Sequence, residues 1–121
     1  MVLVDTSVWV DHLQRANAEL TGLLNSNQVL THPFVVGELA LGSLRQRSVV
    51  IEALSNLPFA TQANDNEVMQ FITANALHGM GIGYVDAHLL AATKLTPMAK
   101  LLTLDKRLQA AAHKLDFLVS H

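Results

Sequence analysis

The chain has 121 residues, half of them hydrophobic and 15% charged, with no cysteine and a formal net charge of -2 when histidine is neutral. A domain of this size buries roughly 65% of its unfolded surface, so its core needs no staple. The composition excludes an intrinsically disordered chain, disulfides, and thiolate-ligated zinc or iron–sulfur centres, and no apolar run approaches the ~20 residues that span a bilayer. The isoelectric point near 6.3 argues against a generally basic nucleic-acid coat but allows a local basic patch. The N-terminus reaches Asp5 without a basic region, unlike a signal peptide. The expectation is one domain over residues 1–121 in a reducing cytoplasm, with no membrane association.

In chain order, Val2, Leu3 and Val4 predict a short strand ending at Asp5-Thr6-Ser7, where Thr6 or Ser7 can cap a helix through Leu13. A second helix fits Ala18 to Leu24, and Val29 to Thr31 reads as a strand after the turn Asn25-Ser26-Asn27. Pro33 suits the first turn of a helix to about Ser43. Helical spacing returns from Val49 to Leu57, and Pro58 ends it. A weak strand follows at Phe59 to Thr61. Asp65 or Asn66 opens a helix through Ile72 that dissolves at His78-Gly79. The loop Gly79-Met80-Gly81-Ile82-Gly83 leads into a helix over Tyr84 to Lys94. Leu101 and Leu102 form a strand, Lys106 to Lys114 a helix, and Phe117 to Val119 an edge strand. Short apolar strands alternating with helices predict an α/β fold of three layers, α/β/α, around a mainly parallel sheet. In such sheets ligands sit beyond the carboxyl ends of the strands, where strand order reverses.

Most of the ten acids are ordinary. Asp11 has Arg15 four positions on, and Asp65 and Glu67 sit in a first helical turn, where the helix dipole favours negative charge. Four are out of place. Asp5 and Asp105 directly follow predicted strands. Glu38 has Phe34, Val35, Leu41 and Gly42 as helical neighbours, and Asp86 has Ile82, Gly83, Leu89 and Leu90, so both point where an apolar stripe points. The alternatives are a tilted helix or arginine partner for Glu38, a first-turn acid for Asp86, a turn for Asp5 and a helix cap for Asp105. If the four converge on one rim, their repulsion calls for a cation. Oxygen-only ligands suit Mg²⁺ or Mn²⁺, ions that activate water and stabilise both oxygens of a phosphodiester displacement. Thr6, Ser7 and Thr103 are placed to orient the carboxylates. His12, His32, His78, His88, His113 and His121 lack metalloprotease spacing, and the glycine loop lacks a dinucleotide fingerprint.

The segments Val2-Leu3-Val4-Asp5-Thr6-Ser7, Glu38-Leu39-Ala40-Leu41-Gly42, Val85-Asp86-Ala87-His88-Leu89-Leu90-Ala91-Ala92 and Leu102-Thr103-Leu104-Asp105-Lys106-Arg107-Leu108, in that order, resemble PIN-domain ribonucleases, specifically VapC-type toxins of toxin–antitoxin pairs. The resemblance implies a Mg²⁺-dependent endoribonuclease with Asp5, Glu38, Asp86 and Asp105 as its acidic quartet. Asp5, Asp86 and Asp105 are then the metal ligands, and Glu38 completes the shell or orients water. It further implies homodimerisation and inhibition by a VapB-type antitoxin whose tail blocks the acidic site. Some relatives carry a further acid a turn after the third, where this chain has Leu89 and Leu90. Arg45, Arg47, Lys94, Lys106 and Arg107 are candidate RNA-backbone contacts, and Tyr84 is a candidate for base stacking. The competing readings are a structure-specific DNA nuclease, an RNA-processing enzyme outside a toxin pair, and a non-catalytic binding module. A phosphoryl-accepting receiver domain is disfavoured, because it wants adjacent acids after the first strand.

Overall fold

The computed structural model describes residues 1–120; His121 lies outside the described residues. Its elements are β1 (Val2–Val4), α1 (Thr6–Arg15), α2 (Ala18–Asn25), β2 (Val29–Leu30), α3 (Pro33–Ala40), α4 (Arg47–Ser55), α5 (Asp65–Ala74), α6 (Tyr84–Leu95), β3 (Lys100–Leu102) and α7 (Lys106–Lys114). The sheet order is β2-β1-β3, all parallel, with Leu3 opposite both Leu30 and Leu101. Single parallel bridges, Thr31 with Phe59 and Leu101 with Leu118, add a further line of chain beside β2 and another beside β3. With helices packed around this sheet, the fold is the three-layer α/β/α arrangement expected.

The strands are short and apolar because both sheet faces are covered. Val2, Leu3, Val4, Val29, Leu30, Leu101 and Leu102 are all buried. Helix α6 is the most deeply embedded, with every residue from Ala87 to Thr93 buried. Its alanines and leucines run all round the helix, as a core helix requires. Thr93 satisfies its buried hydroxyl on the carbonyl of Leu89 at 2.8 Å.

Strand order reverses at β1. The chain steps to β2 on one side and returns through α6 to β3 on the other, which opens a crevice beyond the ends of β1 and β3. Asp5 and Thr103 are the residues that immediately follow those two strands. The backbone N–H of Asp5 donates to Leu102 at 2.9 Å, so the ladder locks the two strand ends together just beneath the crevice.

Several boundaries differ from expectation. Asp5, not Thr6 or Ser7, occupies the N-cap of α1, and its carboxylate makes no cap bond. Helix α3 stops at Ala40 rather than near Ser43, because the Leu41 and Gly42 N–H groups turn back to Gly37 and Leu39. Asn64 opens α5 through a reciprocal capping box with Glu67, and α5 ends at Ala74, short of His78-Gly79. The segments Phe59 to Thr61 and Phe117 to Val119 reduce to single bridges, since each pairs on one side only.

Candidate active site

The crevice is built by hydroxyls holding a carboxylate. Asp5 is 6% exposed. Its Oδ2 accepts from Ser7 Oγ at 2.7 Å and from Thr103 Oγ1 at 2.8 Å. Ser7 Oγ also accepts from the Leu104 N–H at 3.0 Å, and Thr103 Oγ1 from the Asp105 N–H at 3.1 Å. These bonds tie the end of β1 to the end of β3 across nearly the whole sequence. Charge-assisted bonds of this kind are the strong ones, and they fix the direction of the carboxylate.

The other three acids are anchored in a similar way. Glu38 lies on α3 and accepts from Thr6 Oγ1 at 2.6 Å through Oε1. Asp86 lies in the first turn of α6 and accepts from the Gly83 N–H at 3.1 Å through Oδ2. Asp105 caps α7, with Oδ1 accepting from Arg107 N–H at 2.9 Å and Leu108 N–H at 3.0 Å. In each of the four, one carboxylate oxygen is held and the other has no hydrogen-bond partner among the described residues. None of the free oxygens is sealed in the interior without a partner.

Asp86 carries the electrostatic signature. Burial, followed by the negative charges of Asp5, Asp105 and Glu38, pushes its carboxyl above the ordinary carboxylate value, against the lowering effect of the Gly83 N–H. Asp86 therefore lies within electrostatic reach of acids from three other segments. Among the described residues the ion pairs are Arg15 with Asp11 and His88 with Asp65, so no protein cation neutralises the quartet. As placed, no three acidic or histidine side chains among the described residues stand close enough together to hold a metal ion between them. The donor chemistry nevertheless fits a hard divalent ion: oxygens only, half of them free, and repulsion that a cation would relieve.

One expectation about the quartet is corrected. Glu38 is exposed, not turned into the core, because Phe34 and Leu41 on its supposed apolar face are themselves 37% and 91% exposed. It avoids the cost of burial and keeps its direction through Thr6.

The candidate cations divide. Arg107 follows Asp105 by two residues, and its side chain lies across the glycine loop. A Cβ added to Gly81 would come within 2.9 Å of Arg107 Cδ and 3.0 Å of its Nη1. Gly81 also has φ of +77°, which is what favours glycine there, since the flexible Arg107 side chain could move aside. Lys106, the first residue of α7, is exposed. Arg45 is exposed beside a groove with Val10, Leu13 and Gly42. Arg47 is occupied in closing α3, its Nε donating to the Ala40 carbonyl at 2.8 Å. Lys94 lies eight residues beyond Asp86, about 12 Å along α6, with its ammonium 5.7 Å from the centre of the Phe71 ring.

Sequence reasoning offers Tyr84 for base stacking and places His88 by the Asp86 turn, but misses the cluster they form with Phe34 and Asp65. His88 is 3% exposed, and its ring lies 4.6 Å from that of Phe34 and 4.7 Å from that of Tyr84. Asp65, which reads in sequence as a plain first-turn acid, accepts from Tyr84 Oη at 2.9 Å and stands 3.2 Å from His88 Nε2. The spacing of Tyr84 and His88, four apart on one helix face, was the available signal.

The chain folds as a parallel sheet between helices, and the model of the PIN-domain family matches residues 2–114. The chain belongs to that family. Within it, the chain is similar to proteins named Ribonuclease VapC32 from two strains of Mycobacterium tuberculosis, CDC 1551 / Oshkosh and ATCC 25618 / H37Rv. Each is 47% identical over 111 residues, covering 92% of this chain and 90% of the relative. That likeness bears out the resemblance to VapC-type ribonucleases read from the four segments.

Proposed function

We propose that this single-domain protein is a Mg²⁺-dependent endoribonuclease, with Mn²⁺ as an alternative ion, and the toxin of a toxin–antitoxin pair. The observation that carries the reading is the pattern at the quartet: four carboxylates, each with one oxygen held and one free, and no side-chain cation paired with them among the described residues. The cost falls on Asp86, whose half-buried charge is repelled by the other three, and a bound cation would relieve it.

Asp5, Asp86 and Asp105 would hold the ion. When bound, it would supply charge neutralisation, Lewis-acid polarisation of the scissile phosphate and activation of water. Ser7 and Thr103 keep Asp5 fixed, so little reorganisation is needed at the moment of reaction. Glu38, aimed by Thr6, accepts a hydrogen bond from the attacking water at its free Oε2 and turns it in line with the phosphorus. Lys106 and Arg107 hold the RNA backbone next to Asp105, with Arg45 at the periphery. The route does not use the RNA 2′-hydroxyl as nucleophile, so the products carry a 5′-phosphate and a 3′-hydroxyl.

The family resemblance supports a homodimer restrained by a VapB-type antitoxin whose tail enters the acidic crevice. It also supports a cytoplasmic setting. The test uses end-labelled single-stranded RNA and purified protein. Cleavage should require Mg²⁺ or Mn²⁺, stop in EDTA, and disappear in Asp86→Asn. Full activity in EDTA with 2′,3′-cyclic phosphate ends would sink the proposal.

A further inference from the structure

The cluster around His88 has a shape the quartet does not explain. Three helix starts meet there: Phe34 in the first turn of α3, Asp65 opening α5 and Tyr84 opening α6. His88 forms the floor, with the Phe34 ring tilted against it by 57° and the Tyr84 ring perpendicular at 87°. The floor is sealed, yet the two flanking rings are 37% and 45% exposed. Large aromatics ordinarily gain most by burial. Here they are kept outside. The Tyr84 hydroxyl is tied to Asp65 Oδ1, and the turn carrying Phe34 is fixed by the bond from its N–H to His32 Nδ1 at 3.0 Å.

The notch also carries an acceptor that faces outward. Asp65 Oδ1 serves Tyr84 and His88, while its Oδ2 has no partner among the described residues and its side chain is 81% exposed. The position is close to the chemistry. Phe34 precedes Glu38 by one helical turn on the same face of α3, about 6 Å along the axis, and Tyr84 precedes Asp86 by two residues.

We infer that this notch binds one unpaired guanine base of the substrate, in the nucleotide beside the scissile phosphate. Unpaired bases are recognised by stacking on aromatic side chains and by hydrogen bonds to their edges. Phe34 and Tyr84 supply the apolar faces. With Oδ1 engaged by Tyr84 and His88, the open Oδ2 of Asp65 selects guanine among the four bases, because guanine alone offers two adjacent N–H donors, N1–H and the 2-amino group, that can converge on it. Adenine, cytosine and uracil each set an acceptor beside the donor, where the Asp65 charge repels it. The inference rests on the nuclease reading for its purpose but is read out by binding.

The experiment measures affinity of the wild type and of Asp86→Asn, in EDTA, for labelled single-stranded pentanucleotides carrying one guanine, inosine or adenine among uracils. Guanine should bind best in both proteins, and inosine, which lacks the 2-amino group, should lose much of the advantage. Phe34→Ala should weaken every pentanucleotide about 5- to 30-fold, the range expected for one lost base stack. Phe34→Leu keeps the apolar contact with His88 and should show much of the same loss in a fully folded protein. Asp65→Asn should remove the guanine preference, with adenine binding equal to or stronger than in the wild type once the repelling charge is gone. Equal affinity for all bases, or no effect of either Phe34 variant, overturns the inference. The same oligonucleotides, tested for cleavage with Mg²⁺, separate the two claims. Guanine-selective binding without cleavage refutes the nuclease reading alone, and cleavage without base preference refutes the notch alone.

Discussion

Replacing Thr103 by valine tests whether strand-end hydroxyls hold the quartet together. Thr103 is 1% exposed, and valine matches its volume, so no cavity forms. What is lost is the 2.8 Å bond donated to the Asp5 carboxylate and the acceptor for the Asp105 N–H at 3.1 Å. A bond to a charged partner contributes about 1.5–3 kcal/mol, and an orphaned N–H with partial access to water adds up to about 1 kcal/mol. Ser7 remains on Asp5, which keeps the carboxylate from being wholly unpaired. The expected loss is about 2–4 kcal/mol, measured by urea unfolding followed by circular dichroism, and roughly a 10 °C fall in Tm. Thr103→Ser, which keeps the hydroxyl, should lose only about 1 kcal/mol, for the missing methyl. A double-mutant cycle of Thr103→Val with Asp5→Asn should give a coupling above ~1 kcal/mol. A Thr103→Val loss under ~0.5 kcal/mol, or an additive cycle, would refute the reasoning.

Asp86→Asn should raise the Tm of metal-free protein while abolishing cleavage, because it removes a partly buried charge repelled by Asp5, Asp105 and Glu38. The Asp86 carboxyl lies above its unfolded value of 3.8, so the folded state holds the proton more tightly. Its contribution to stability is full below pH 3.8 and is lost as pH rises through the folded value. Unfolding free energies against pH should therefore draw the variant and the wild type apart as pH rises from 3.8 through the folded value, and hold them at a constant separation above it. Gly81→Ala should cost about 1–2 kcal/mol for its positive φ alone and displace Arg107. In an Arg107→Ala background the steric share should vanish while the backbone share stays, as thermal melts of the four proteins would reveal. Burial, aided by the His88 charge, pushes His32 from 6.5 down to about 4. Its folded value lies below its unfolded one, so stability present above pH 6.5 is lost on acidification toward pH 4. The change is on the order of 2 kcal/mol once partial solvent screening is allowed. His32→Asn, which retains an acceptor for the Phe34 N–H, should flatten that slope.

Much of the frame was legible because it rests on local rules. Val2-Leu3-Val4 is apolar on both faces and closes on Asp5, which is what a central parallel strand needs. Helix α6 and helix α7 begin and end close to where spacing places them. Asp5 and Asp105 stood out because an acid just after a buried strand lands at the crevice of such a sheet. Other features depend on partners distant in sequence. Glu38 reads as core-facing only if Phe34 and Leu41 are assumed to be buried, and both are exposed. Which residue caps α1 was misjudged because the Thr6 and Ser7 hydroxyls are recruited by Glu38 and Asp5 instead. The seat of Arg107 on Gly81 joins residues 26 positions apart, and no periodicity marks it. Asp65 satisfies the helix-start rule so well that its second task, holding Tyr84 and facing His88, left no trace in the sequence.

The central claim is that Asp5, Asp86 and Asp105, with Glu38 alongside, share one divalent cation. Anomalous diffraction from crystals grown with Mn²⁺ addresses it most directly. The account predicts an anomalous peak in the crevice past β1 and β3, within coordination distance of the free oxygens of those three aspartates, and no such peak in Asp5→Asn. A peak elsewhere on the protein, or an empty crevice at millimolar Mn²⁺ with the four carboxylates turned apart, would contradict it.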